Sequence, residues 1–97
     1  MTKKRTDADK LKAFLAQFDE NIMLIDGHEN AFMGIINDPK NGYVAVYSSA
    51  IIIDNLMRDD MMHYDTAEEF FDYNIKGAYV GTKTPLLIDV IPRSFWK

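Results

Sequence analysis

Ninety-seven residues, 47% of them hydrophobic and 27% charged, suit one ordinary globular domain; they are too few for two independent cores and too apolar for a chain that stays disordered. The formal charge of −4 speaks against sequence-independent nucleic-acid binding, because affinity for phosphate rests on Lys and Arg releasing counterions. Cysteine is absent, which removes disulfides, thiolate zinc sites and a cysteine nucleophile together.

The charge is unevenly spread. Lys3, Lys4, Arg5, Lys10 and Lys12 make the first dozen residues basic, whereas Asp54, Asp59, Asp60, Asp65, Glu68, Glu69 and Asp72 face Arg58 alone. No apolar run approaches the roughly 18 residues of a membrane span, and Met1 to Arg5 leads into Thr6-Asp7-Ala8-Asp9 rather than a signal-peptide core. The expectation is a cytoplasmic protein without a membrane partner.

In chain order, Thr6 with Asp9 caps a first helix whose Leu11, Phe14, Leu15 and Phe18 recur at i, i+3, i+4 and i+7. Ile22 to Ile25 is a four-residue apolar run of strand length, broken by Asp26-Gly27-His28-Glu29. Residues 31 to 36 read as a strand with a bulge or close approach at Gly34, and Tyr43 to Tyr47 as its hairpin partner across a loop of about six residues. Ser48 and Ser49 cap a helix from Ala50 to Asp59.

Thr66 and Glu69 form a capping box for a further helix whose stripe is Ala67, Phe70, Phe71, Asn74, Ile75 and Ala78, with Gly81 past its end. Leu86 to Ile91 is a last strand between Pro85 and Pro92, and residues 92–97 form an aromatic tail. The order α-β-β-β-α-α-β predicts a small single α+β domain with a mainly antiparallel sheet of about four strands, packed on one face by two to three helices. Within it the first 20 residues are a basic helical extension and residues 21–91 the core.

The span from Asp26 to Leu87 resembles a family of short uncharacterised phage, prophage and mobile-element proteins. The matching residues are Asp26-Gly27, Ala31-Phe32-Met33-Gly34-Ile35, Ala45-Val46-Tyr47, Leu56-Met57 with Asp60 and Met61, and Ala67-Glu68-Glu69 with Phe70. The most distinctive block runs from Tyr73-Asn74-Ile75-Lys76-Gly77-Ala78-Tyr79-Val80-Gly81 through Thr84-Pro85. The resemblance implies viral or mobile-element provenance and a compact fold, with no reaction to inherit. The basic first helix and the tail beyond Asp89 depart from the pattern.

His28 lies in Asp26-Gly-His-Glu29 and His63 in Asp59-Asp60-Met-Met-His63-Tyr-Asp65, so each is a surface loop histidine or one end of an acid–base site. Neither has the helical spacing of metal ligands. Ser48-Ser49 lacks a nucleophile elbow and suits a cap, and the five scattered glycines build no phosphate loop. Neither metal nor cofactor is expected.

Asn74 falls on a core-facing stripe, where a buried amide needs partners: backbone near Thr82 to Pro85, or a ligand in a pocket shared with Tyr79 and Thr84. The acids from Asp54 to Asp72 are either solvated helix faces or a surface that imitates DNA phosphates. Phe95-Trp96 either closes the core or stands out as a partner anchor.

The resemblance and these residues together favour a non-enzymatic phage or mobile-element accessory protein that binds and modulates a host protein, with inhibition the favoured mode, the target being one of nucleic-acid metabolism or of antiviral defence such as CRISPR. The acids Asp54, Asp59, Asp60, Asp65, Glu68, Glu69 and Asp72, with Phe95 and Trp96, are its candidate contacts. The alternatives are a small-ligand or nucleotide-signal module using Asn74, Tyr79 and Thr84, and an enzyme using His28 or His63 with carboxylates. The short final strand and apolar tail also suit a homodimer.

Overall fold

The computed structural model describes residues 7–78 and 80–96; the Met1–Arg5 arm, the Thr6 cap and Tyr79 fall outside them. Strands β1 (Phe32–Asp38) and β2 (Gly42–Ser48) form the antiparallel hairpin. Its connection is tighter than the sequence suggests. The Asp38 carboxylate accepts hydrogen bonds from the N–H groups of Lys40 (2.7 Å) and Asn41 (3.1 Å), and Gly42 takes a left-handed φ of +74°. Pairing slips between Phe32 and Gly34, so the bulge predicted at Gly34 is present.

Ser48 ends β2 and starts helix α2 (Ser49–Asp59): its hydroxyl accepts from the Ile51 N–H at 3.3 Å. Helix α3 (Tyr64–Phe71) follows and runs straight into a π-helical turn, Asp72–Lys76, that ends at Gly77. Strand β3 (Leu86–Ile88) then returns beside β2 in parallel register, Val46 opposite Leu86 and Ser48 opposite Ile88. Parallel neighbours need a long crossover, and α2 with α3 supplies it.

The fold is α+β, with three α-helices and a mixed three-stranded sheet in the order β1-β2-β3 among the described residues. Six expectations are corrected. Among the described residues the sheet has three strands, not about four, and is half parallel rather than mainly antiparallel. Ile22 to Ile25 is not a strand: Ile22 is buried in the core, and the Ile25 N–H donates to the Tyr47 hydroxyl at 2.9 Å instead of to a neighbouring strand. The final strand stops at Ile88.

Helix α3 begins three residues early, so Thr66 sits in its first turn and the Thr66–Glu69 capping box does not form; His63 is the N-cap, without a side-chain bond. Gly77 rather than Gly81 ends the helix, and Gly81 (φ +112°) serves the turn that precedes β3.

Strand alternation sorts the core. Ala45 and Tyr47 point to the face on which Ile52, Leu56, Ala67, Phe71, Leu15 and Ile22 pack. Tyr47 and Ile52 are fully buried. Helix α1 (Asp7–Leu15) contributes Leu15 to this cluster, while Phe14 and Phe18 remain exposed, edge to face at 5.7 Å, with Phe18 resting on Tyr43. Only part of the predicted stripe of the first helix is therefore used.

Candidate functional site

Helices α2 and α3 and the end of β3 enclose a groove made of two adjoining hollows of about 320 and 260 Å³ that share Ser49, Ile53, Glu68 and Asp89. Buried Phe71 and half-buried Ile53 and Leu87 give it an apolar lower wall. Asp54, Glu68, Asp72 and Asp89, all exposed, line it with carboxylates. Among its described lining residues Lys76 is the one cation. The Tyr64 hydroxyl donates to Glu68 at 3.0 Å, and that carboxylate holds the phenol's proton on above its usual value.

The acidic stretch is thereby divided. Asp54, Glu68 and Asp72 meet in the groove. Asp59 is held by Arg58, whose Nε donates to Oδ1 at 3.1 Å and which also reaches Asp54 at 3.4 Å. Asp60, Asp65 and Glu69 are exposed outside the groove lining. Asp89, which the sequence reading passed over, reaches the groove because Ile88 pairs with Ser48 at the start of α2. No local pattern carries that information; the parallel return of β3 does.

Beneath α2 lies a polar cluster that was also missed. Asn55, 3% exposed, accepts at Oδ1 from Asn30 Nδ2 (2.9 Å) and Arg58 Nη2 (2.9 Å). Its Nδ2 donates to Asn30 Oδ1 (2.7 Å) and meets His28 Nδ1 at 3.0 Å. Both amide protons and both carbonyl lone pairs are used, so the amide orientation follows from its partners, and His28 accepts at Nδ1 with its ring proton on Nε2. The signal was present in the sequence: Asn55 follows Ile52 by three and Ile51 by four on the apolar side of the helix.

Asn74 is exposed, and its Nδ2 donates to the Phe70 carbonyl at 3.2 Å within its own helix, not to the loop at Thr82 to Pro85. It does meet Thr84 at a separate hollow of about 210 Å³, walled by Leu24, Ile25, Ile75, Val80 and Leu87. The Thr84 hydroxyl is already committed, donating to the Gly81 carbonyl (2.6 Å) and accepting from the Val80 N–H (2.9 Å). Among the described lining residues none is charged, which suits an apolar group better than a phosphate.

His63 is exposed at the start of α3, and among the described residues no group of three His, Cys, Asp or Glu is placed to hold a metal ion. Phe95 and Trp96 lie in a short 3-10 turn, 69% and 76% exposed and edge to face at 5.0 Å, so they do not close the core. Among the described residues no helix is long and apolar enough to cross a membrane. What fold and groove define is an α+β domain with a carboxylate-lined cleft. No protein-family model, curated protein or solved structure matches the chain.

Proposed function

We propose that this chain is a non-enzymatic accessory protein of a phage or mobile element that binds and inhibits a host protein through the groove between α2 and α3. The observation that carries the reading is the convergence of Asp54, Glu68, Asp72 and Asp89 over an apolar wall that includes Ile53, Phe71 and Leu87. Such a cleft matches a basic segment with apolar anchors: carboxylates steer the encounter and the wall supplies buried area. Basic segments of that kind line nucleic-acid-binding surfaces, so the target is a host protein of nucleic-acid metabolism or of antiviral defence such as CRISPR. Provenance rests on the resemblance carried by the Asn74 to Pro85 block, and the host cytoplasm follows from it.

The test compares two sets of neutral isosteres of similar net charge. Asp54→Asn, Glu68→Gln and Asp72→Asn remove charge from the groove; Asp60→Asn, Asp65→Asn and Glu69→Gln remove as much outside it. The protein captured from host lysate by the tagged wild type is expected to be lost with the groove set and with rising ionic strength, and retained with the second set. Equal retention by both sets would overturn the assignment.

A second reading is favoured by one observation, the meeting of Asn74 and Thr84 at the 210 Å³ hollow. A small apolar ligand held there raises the melting temperature with the logarithm of its concentration above the dissociation constant, and Ala78→Phe, aimed at filling the hollow, abolishes the rise.

A further inference from the structure

Of the chain's six asparagines, Asn41 alone precedes a glycine. Asn21, Asn30, Asn37, Asn55 and Asn74 are followed by Ile22, Ala31, Asp38, Leu56 and Ile75, whose side chains screen the next amide nitrogen; Gly42 carries nothing to screen its own. The fold widens that difference. Asn30 and Asn55 bond through each other's side-chain amides, and the Asn74 amide donates to the Phe70 carbonyl. Asn41 is held by its backbone instead: its N–H donates to the Asp38 carboxylate, and among the described residues its side-chain amide makes no hydrogen bond.

Gly42 stands opposite Asp38 on the last rung of the hairpin. The end of a ladder opens more readily than its middle, and each opening bares the Gly42 nitrogen beside the Asn41 side chain. The acidic counterpart, Asp26–Gly27, is guarded: the Gly27 N–H donates to the Glu29 carboxylate at 2.9 Å.

We propose that Asn41–Gly42 is a site of spontaneous deamidation whose isoaspartate product loosens the contact between Lys83 and Asp19. The Gly42 nitrogen gives its proton to hydroxide and bonds to Asn41 Cγ; the bond from Cγ to Nδ2 breaks, and Nδ2 takes a proton from water and leaves as ammonia. Water then opens the five-membered ring. Cleavage of the ring nitrogen from Cγ yields aspartate, and cleavage from the main-chain carbonyl yields isoaspartate, whose backbone runs through one added carbon. Either product adds one negative charge to the formal −4.

The added carbon falls where the fold has no slack. Lys83 Nζ donates to Asp19 and to the carbonyl of Tyr43, the residue after Gly42. A single carbon placed on Gly42 would already stand 3.0 Å from both Asp19 Oδ2 and Lys83 Nζ. Lengthening the chain immediately before Gly42 therefore pushes the hairpin end against the pair that ties it to the turn preceding β3.

Peptide mapping by mass spectrometry of the folded full chain, aged at neutral pH and physiological temperature, tests this. The amide-to-carboxyl mass change is expected at residue 41 as a mixture of aspartate and isoaspartate, with ammonia released in equal amount and Asn21, Asn37 and Asn74 intact. Asn41→Gln, which must close a larger ring, removes the acidic species from ion exchange. Hydrogen exchange at residues 80–84 is expected to be faster in the purified isoaspartate form than in the fresh protein. An Asn41 that stays intact in the folded chain, conversion spread equally over the other asparagines, or unchanged exchange at residues 80–84 in the isoaspartate form would each overturn the proposal.

Discussion

Two polar ties cross this small domain, and they are built on opposite principles. Under α2, Asn55 is locked to Asn30, His28 and Arg58 by four bonds in which three of the four groups are neutral, with the amide itself almost wholly covered. At the far end, Lys83 reaches Asp19 at 2.6 Å and the Tyr43 carbonyl at 2.9 Å, joining the turn before β3 to the segment after α1 through a charged pair. The first tie depends on every bonding site being filled, so any deletion leaves orphaned groups. The second depends on ionisation and on a backbone that lets the two charges meet.

The largest break should come from Asn55→Ala. It strands the Asn30 amide and His28 Nδ1 in a part-buried site, where each unsatisfied group costs about 1–3 kcal/mol. A loss of about 3 kcal/mol in urea unfolding is expected; a loss no greater than that of an exposed substitution such as Tyr73→Ala would mean that water enters freely and the tie contributes little.

Gly42→Ala attacks the other tie through the backbone. A methyl group there stands 3.0 Å from both Asp19 Oδ2 and Lys83 Nζ, and φ is +74°, a region that costs a non-glycine residue about 1–3 kcal/mol. The expected loss is about 2 kcal/mol, accompanied by weakened protection of the 80–84 turn in hydrogen exchange. Ser48→Ala, which removes the cap of the helix that carries Asn55, should cost about 1 kcal/mol. If it also exposes Asn30 and His28 to solvent, the neutral tie depends on the start of α2 as well as on its own bonds.

The sequence showed these regions unequally, for physical reasons. Local chemistry was legible: Ser48 caps, Gly34 bulges, and the Asp38–Gly42 turn closes the hairpin, each through contacts within a few residues. Ile22 to Ile25 was misread because an apolar run of strand length says how much must be buried but not whether a sheet edge is available. The helical stripe through Asn74 failed for another reason. From Asp72 the helix widens to i→i+5 bonding, which shifts the phase of every later residue, so Ile75 remains half-buried while Asn74 turns outward.

Of the acids, the groove gathers Asp54, Glu68 and Asp72, which are 18 residues apart at most, but needed Asp89, which only the parallel return of β3 delivers. Lys83 and Asp19 are 64 residues apart, beyond the reach of any pattern along the chain.

The smallest and most selective probe of the comparison is pH. The Lys83 ammonium bonded to Asp19, helped by the Asn21 N–H, holds that carboxyl below its ordinary value of 3.8. A carboxyl group with a depressed folded value contributes stability that is complete above the unfolded value and is lost as pH falls through the folded one. The melting-temperature difference between wild type and Asp19→Asn should therefore be constant from neutrality down to about pH 5, shrink below 3.8, and vanish once the folded carboxyl is protonated. Because both side chains are about four-fifths covered, salt should reduce the difference less than it reduces the exposed Arg58–Asp54 contact. A difference that persists unchanged into strong acid would show that Asp19 acts by the shape of its bonds to Lys83 and Asn21, making this tie, like that of Asn55, a matter of filled bonding sites and not of charge.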